Sequence, residues 1–192
     1  MNRFPLSESV PTPLLSTRIA IVGNSGSGKS TLASAIAQGR GWPTLDLDTV
    51  AWEPEKVAVA RSEAAARVDV ERFCTSREEW IVEGCYANLV AVSLRHSPLL
   101  VFMHPGMERC LENCRRRPWE AHKFRSRAEQ DERLEALLAW VRDYYTRSGP
   151  LSLEAHEALF ERYPGPKRRF TEPIVSAADV LEVSQSRSSF AR

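Results

Sequence analysis

Residues 23–30 read GNSGSGKS, and they follow the run RIAIV at 18–22 with no residue between. Few folds accept such a junction. RIAIV is short, apolar and β-branched, which suits a strand buried on both faces of a parallel sheet. The next segment, STLASAIAQ at 30–38, is alanine-rich with apolar residues at helical spacing, and Gly39 and Gly41 supply its stop. Between strand and helix the chain satisfies GxxxxGK[ST], the phosphate-cradling P-loop. Gly23, Gly26 and Gly28 let the backbone curl so that the N–H groups of Asn24, Ser25, Ser27 and their neighbours turn inward, assisted by the helix N-terminus. Lys29 is then expected to bridge the β- and γ-phosphates of ATP or GTP, Ser30 to ligate Mg²⁺ through its hydroxyl, and Thr31 to reach the α-phosphate. A chance glycine-rich turn with a solvated lysine is the competing reading, and two correct flanks argue against it. The motif leaves open whether the γ-phosphate passes to water or to a second substrate.

The remaining chain continues the alternation of strand and helix. Further strands are expected at 43–47, at 80–84 (WIVEG), at 98–103 (PLLVFM) and, as a polar edge, at 167–171. Helices are expected at 54–74, 107–117, 128–147 and 151–163, the last capped by Ser152. This order predicts a three-layer α/β/α fold with a central parallel sheet. One domain over 18–183 fits a chain of 192 residues that is 43% hydrophobic, with a flexible leader at 1–17 and a disordered tail at 184–192.

Composition narrows the partners. Lysine plus arginine number 26 against 25 acidic residues, so bulk charge gives no reason to expect nucleic acid or membrane as a partner. No apolar run reaches the roughly 20 residues needed to cross a bilayer. The four cysteines, at 74, 85, 110 and 114, form no CxxC pair, and with no signal peptide they read as reduced thiols of a cytoplasmic protein. Cys110 and Cys114 with His104 and His122 match no common zinc spacing. His104, His122 and His156 read as structural. Trp52, Trp119, Trp140, Tyr144 and Tyr145 could stack a base, but helical spacing favours core.

Acids and arginines supply the candidate chemistry. Asp46 and Asp48 alternate at the end of the second expected strand, so that one carboxylate faces the phosphate loop and the metal while the other faces an acceptor. Asp48 is the preferred acceptor-side residue, able to orient a hydroxyl and take its proton, and Asp46 the metal-side one. Glu83 ends the third strand, where open α/β sheets bind ligands and a Walker B acid stands. Arg115, Arg116 and Arg117, then Lys123, Arg125 and Arg127, flank Pro118 and suggest a lid over 115–128, with Arg116 and Arg117 acting on the transferring group. A solvated basic face or a polyanion patch is the alternative. Arg61 is a candidate for an anionic group of the acceptor, and Arg142 and Arg147 could reach inward.

The segments RIAIVGNSGSGKSTLA, LDLDTVAW and WIVEGCYANL together resemble the adenylate kinase-related P-loop family whose bacterial members are often called DNA topology modulation proteins. The third is similar to that family's WIIDGNY stretch, with Glu83 and Cys85 where the pattern has aspartate and asparagine. The likeness covers the first half of the chain, and 118–171 shows no match. More distantly, the DxD of Asp46 and Asp48 resembles shikimate and gluconate kinases. The resemblance implies a nucleotide on residues 23–31, Asp48 and Glu83 lining the acceptor and magnesium region, and a lid after Cys114. The expectation is a P-loop small-molecule kinase, monomeric or homodimeric, using ATP or GTP with Mg²⁺ on a nucleotide or nucleoside acceptor. The alternatives are a nucleotide-gated NTPase serving a macromolecular partner and an RNA or DNA end kinase.

Overall fold

The computed structural model describes residues 16–53, 59–119, 125–172 and 178–181. The expected leader, except Ser16 and Thr17, and the expected tail lie outside the described residues, as do His122 and Lys123. Ser16 and Thr17 are tied to the sheet. The Ser16 hydroxyl accepts from the Leu99 N–H at 3.2 Å, and the Thr17 carbonyl accepts from Trp80 at 3.1 Å.

Five parallel strands stand in the order β2-β3-β1-β4-β5. They are β1 (Arg18–Gly23), β2 (Thr44–Asp46), β3 (Trp80–Gly84), β4 (Leu99–Met103) and β5 (Lys167–Phe170). The strand that leads into the glycine-rich loop is therefore central, and β3 and β4, buried along their whole length, flank it. Alternation divides their side chains between two cores. Ile19, Ile21, Ile81, Val101 and Met103 pack with Leu32, Ala33 and Ile36 of α1 (Lys29–Arg40). Ala20, Val22, Trp80, Val82, Leu100 and Phe102 face the other layer. There they meet Val70 of α3 (Glu63–Thr75), Leu89 and Val90 of α4 (Ala87–Ser93), and Tyr163 after α8 (Leu153–Arg162). This is the expected three-layer arrangement. Short α2 (Asp48–Ala51) and α9 (Ala178–Leu181) complete it with a third cluster, in which Cys110, Leu111 and Cys114 of α5 (Met107–Arg115) meet Leu138 and Val141 of α7 (Leu134–Asp143).

Two helices differ from expectation. Of the helix expected over 54–74, residues 54–58 lie outside the described residues, and the described part starts only at Glu63, where the Ser62 hydroxyl accepts from Ala65 N–H. Ahead of it Trp52 bridges Ala60 antiparallel and Glu53 N–H donates to Val59 O at 2.8 Å, so residues 59–61 pair with 51–53 rather than opening the helix. The single helix expected over 128–147 is divided at Arg133 into α6 (Arg127–Glu132) and α7. Exposed ion pairs, Arg127 to Asp131 and Arg133 to Glu129, hold the first part, while buried Leu138 and Val141 anchor the second. Pattern alone does not show that these halves answer to different forces. Among the described residues no helix is long and apolar enough to cross a membrane.

Candidate active site

The loop at 23–28 is held from three sides. Gly26 (φ +76) and Gly28 (φ +94) adopt left-handed backbone that only glycine takes at little cost. A Cβ on Gly26 would also collide with the Cys110 carbonyl, so α5 lies directly against the loop. Asn113 of α5 donates to Gly26 O at 2.8 Å, and Asn24 donates from Nδ2 to Val141 O of α7 at 3.0 Å. Cys110 and Cys114 are thus packing thiols. Among the described residues no group of three or more His, Cys, Asp or Glu could hold a metal ion.

Lys29 opens α1 and is only 7% exposed, with Nζ donating across the loop to Asn24 O at 2.9 Å. Burial would lower its pKa, but the neighbouring Cys85, Glu83 and Asp48 outweigh it and the pKa stands above the ordinary lysine value. The ammonium is a fixed positive charge inside the loop.

Glu83 ends β3 beside both Ile21 and Asp46 in the sheet register, and it is 4% exposed. The Ser30 hydroxyl donates to its Oε1 at 2.7 Å. Burial raises the carboxyl pKa, with Asp46 and Asp48 adding to it, while Lys29 and the Ser30 bond pull it back. A hydroxyl and a carboxylate side by side are hard oxygen donors, the set Mg²⁺ uses when phosphates and water complete its shell. These residues fit a magnesium nucleotide.

Asp46 and Asp48 diverge after β2. Asp46 Oδ1 accepts the Asp48 N–H at 2.9 Å, closing a turn at the head of α2. Asp48 Oδ1 accepts from the Tyr86 hydroxyl at 2.9 Å, and that hydroxyl accepts from Trp52 Nε1 at 2.8 Å. Asp48 remains close enough for its charge to act on both Lys29 and Glu83. Gly84 makes this approach possible, since a Cβ there would lie 2.7 Å from the Leu47 Cβ.

The candidate arginines fare differently. Arg61 pairs with Asp69 at 2.8 Å and donates to Val50 O at 3.1 Å, which ties α3 to the end of α2. Arg116 is exposed at the end of α5, and half-buried Arg117 lies 4.0 Å from the Cys114 sulfur. Arg125 is exposed and Arg127 is paired with Asp131, while Arg142 is exposed. Arg147 stacks its guanidinium 3.6 Å from the Trp140 ring centre and donates from Nη2 to Trp140 O at 2.8 Å. Its Nε and Nη1 are buried without a hydrogen-bond partner among the described residues, and its charge acts on Cys85 and His156.

Three residues to which the sequence alone assigns no part in the site complete it. Tyr86 holds Asp48. Cys85 lies 3.9 Å from the Ser25 hydroxyl and within hydrogen-bond reach of Lys29. Fully buried His156 donates from Nε2 to Cys85 O at 2.7 Å; that carbonyl can only accept, so Nδ1 accepts from the Tyr144 hydroxyl at 2.8 Å. The expected structural role of His156 is thus to hold the turn after β3. Its partners are 71 and 12 residues away, a distance no local pattern bridges.

The chain matches no known protein-family model. It matches no curated protein sequence either. Among solved structures it is similar to a gluconokinase from Sinorhizobium meliloti 1021, at 18% identity over 87% of this chain and 88% of that one, with a TM-score of 0.52. A shikimate kinase from Acinetobacter baumannii in complex with shikimate shares 18% identity over 88% and 89% of the two chains, with a TM-score of 0.46. A shikimate kinase from Aquifex aeolicus vf5 shares 19% over 85% and 91%, also with a TM-score of 0.46. At 18% identity the likeness to the gluconokinase is one of fold, and with the loop and sheet described above it establishes a three-layer α/β/α P-loop domain.

Proposed function

We propose that this chain is a magnesium-dependent phosphotransferase that moves the γ-phosphoryl group of ATP or GTP to a small hydroxyl-bearing acceptor, a nucleotide or nucleoside. The observation that carries the reading is the separation of two acids around one lysine. Glu83 is bonded to Ser30 on the phosphate side, Asp48 is held by Tyr86 on the other, and both act on Lys29.

In this reading the N–H groups of residues 24–31 bind and orient the phosphates, and Lys29 follows negative charge as it moves toward the leaving oxygen. Ser30 and Glu83 would hold the metal, with Asp46 one strand over able to act on it through water. A magnesium ion held there would supply positive charge against that of the phosphates. Asp48 orients the acceptor hydroxyl and takes its proton as the new O–P bond forms. Arg116 and Arg117 bring charge to the transferring group, and the two unpartnered nitrogens of Arg147 supply donors for an anionic group of the acceptor. Arg61, engaged with Asp69, serves the frame in preference to the acceptor. The four free cysteines suit the reducing cytoplasm, where the acceptor would be a soluble metabolite.

The fold shared with a gluconokinase adds sugar acids to the acceptors worth testing. ADP release from MgATP, measured with D-gluconate, shikimate, nucleosides and nucleoside monophosphates in turn, tests the proposal. Stimulation by one small acceptor supports it. Stimulation by nucleic acid or protein alone would replace it with an end kinase or a nucleotide-gated switch.

A further inference from the structure

Asp48 and Trp52, at the two ends of α2, are joined to Tyr86 of a separate stretch of chain by two hydrogen bonds of 2.9 and 2.8 Å. The direction of both is fixed by chemistry. An indole N–H only donates, so the Tyr86 oxygen must accept it, and the single phenolic hydrogen is left to point at Asp48 Oδ1. We propose that Tyr86 is a positioning residue for phosphoryl transfer: locked by the Trp52 indole, its hydroxyl holds the Asp48 carboxylate in the orientation that receives the acceptor.

This inference rests on reading Asp48 as the acceptor-side carboxylate. The anchoring is independent of that reading. Tyr86 caps α4, whose Ala87, Leu89, Val90 and Val92 are buried, so its backbone cannot drift. Asp48 heads α2 with its own N–H bound to Asp46, and Leu47 N–H donates to Glu83 O at 2.9 Å. Two rigid elements therefore meet at one hydroxyl. Burial first, and then the Asp48 charge, raise the Tyr86 pKa, so the phenol keeps its proton throughout the working range and the bond to Asp48 persists. A hydrogen bond to a charged group is worth more than a neutral one, which makes the tyrosine rather than the tryptophan the stronger contributor. Trp52, 39% exposed, spends its polar edge on Tyr86.

A tether that merely joined α2 to α4 would have a different signature. The test is a double-mutant cycle on the full chain, reading ADP release from MgATP with D-gluconate, shikimate, thymidine and nucleoside monophosphates as the probe acceptors. Tyr86→Phe should lower acceptor-dependent turnover about tenfold with the KM for MgATP within about twofold. In an Asp48→Asn background the same change should cost less than about twofold, because Tyr86 acts through the carboxylate. Trp52→Phe should cost about threefold by leaving the phenol free to rotate. A second measurement needs no acceptor: the indole N–H resonance of Trp52 in ¹⁵N-tryptophan-labelled protein, assigned by its loss in Trp52→Phe, should shift in both Tyr86→Phe and Asp48→Asn. Equal losses from Tyr86→Phe in both backgrounds, or an indole resonance indifferent to both changes, would overturn the proposal. Wild-type turnover in Asp48→Asn would instead remove the reading of Asp48, with the indole shift still reporting whether the relay exists.

Discussion

The Ser30 hydroxyl lies 2.7 Å from Glu83 Oε1, so the first turn of α1 and the end of β3 meet at a hydroxyl and a buried carboxylate. Magnesium needs that carboxylate ionised, and burial makes ionisation harder than for a solvated glutamate. Magnesium affinity with ATP should therefore fall as pH drops through a window above the ordinary carboxylate range. Glu83→Gln should raise the magnesium concentration for half-maximal activity at least about tenfold and abolish that pH dependence. The sign for stability is opposite. Without ligand the folded state holds the proton that the unfolded chain releases, so stability falls as pH rises through the same window. Urea unfolding of the nucleotide-free protein should show this slope, and Glu83→Gln should lack it.

Lys29 is buried yet positively charged, and its Nζ donates across the loop to Asn24 O. Lys29→Met removes a desolvated charge and keeps the bulk, so the fold should survive while turnover falls by about 100-fold or more. Circular dichroism and single-turnover transfer measured together check this. A folded Lys29→Met protein with near-normal turnover would deny the loop its catalytic role.

The parts of this site that the chain announces are those written in consecutive residues. RIAIV followed by GNSGSGKS places strand, loop and helix together, and Ser152 marks the start of α8 through its bond to Ala155 N–H. Glu83 was legible for the same reason, as a lone acid closing an apolar run. Tyr86, Cys85 and His156 were not, because the bonds that place them, apart from the 12-residue step between His156 and Tyr144, span 34 to 71 residues and depend on how β3 packs against α2 and α8. The residues just before α3 misled because their alanines favour a helix, whereas the bridge of Trp52 to Ala60 and the bond of Glu53 to Val59 hold them extended against 51–53.

His156 is fully buried between the Cys85 carbonyl and the Tyr144 hydroxyl, and burial lowers its pKa from the ordinary 6.5 to about 4. Between those values the unfolded chain binds a proton that the folded protein refuses. Stability should thus be lost as pH falls from 6.5 toward 4, by about 3 kcal/mol in all. His156→Gln should flatten that part of the curve, measured by urea unfolding at a series of pH values, while lowering stability at neutral pH.

Arginines on different elements should separate by kinetics. Exposed Arg116 and half-buried Arg117 at the end of α5 should matter for transfer, so Arg116→Ala with Arg117→Ala should lower turnover about tenfold or more with MgATP affinity little changed. Arg147, stacked on Trp140 with two unpartnered nitrogens, should act on the acceptor instead. Arg147→Gln should raise the KM for an anionic acceptor about tenfold and leave a neutral one unaffected. Steady-state kinetics with a nucleoside and its monophosphate make the comparison.

The most direct test of the account is ADP release from MgATP by the full chain, with and without small acceptors, in wild type beside Lys29→Met and Asp48→Asn. A kinase built as described should hydrolyse ATP slowly alone and respond to one small hydroxyl acceptor by about 100-fold or more. Both substitutions should remove that response, and Asp48→Asn should do so with MgATP affinity intact. ATP turnover indifferent to every small acceptor, yet raised by nucleic acid or a protein partner, would contradict it.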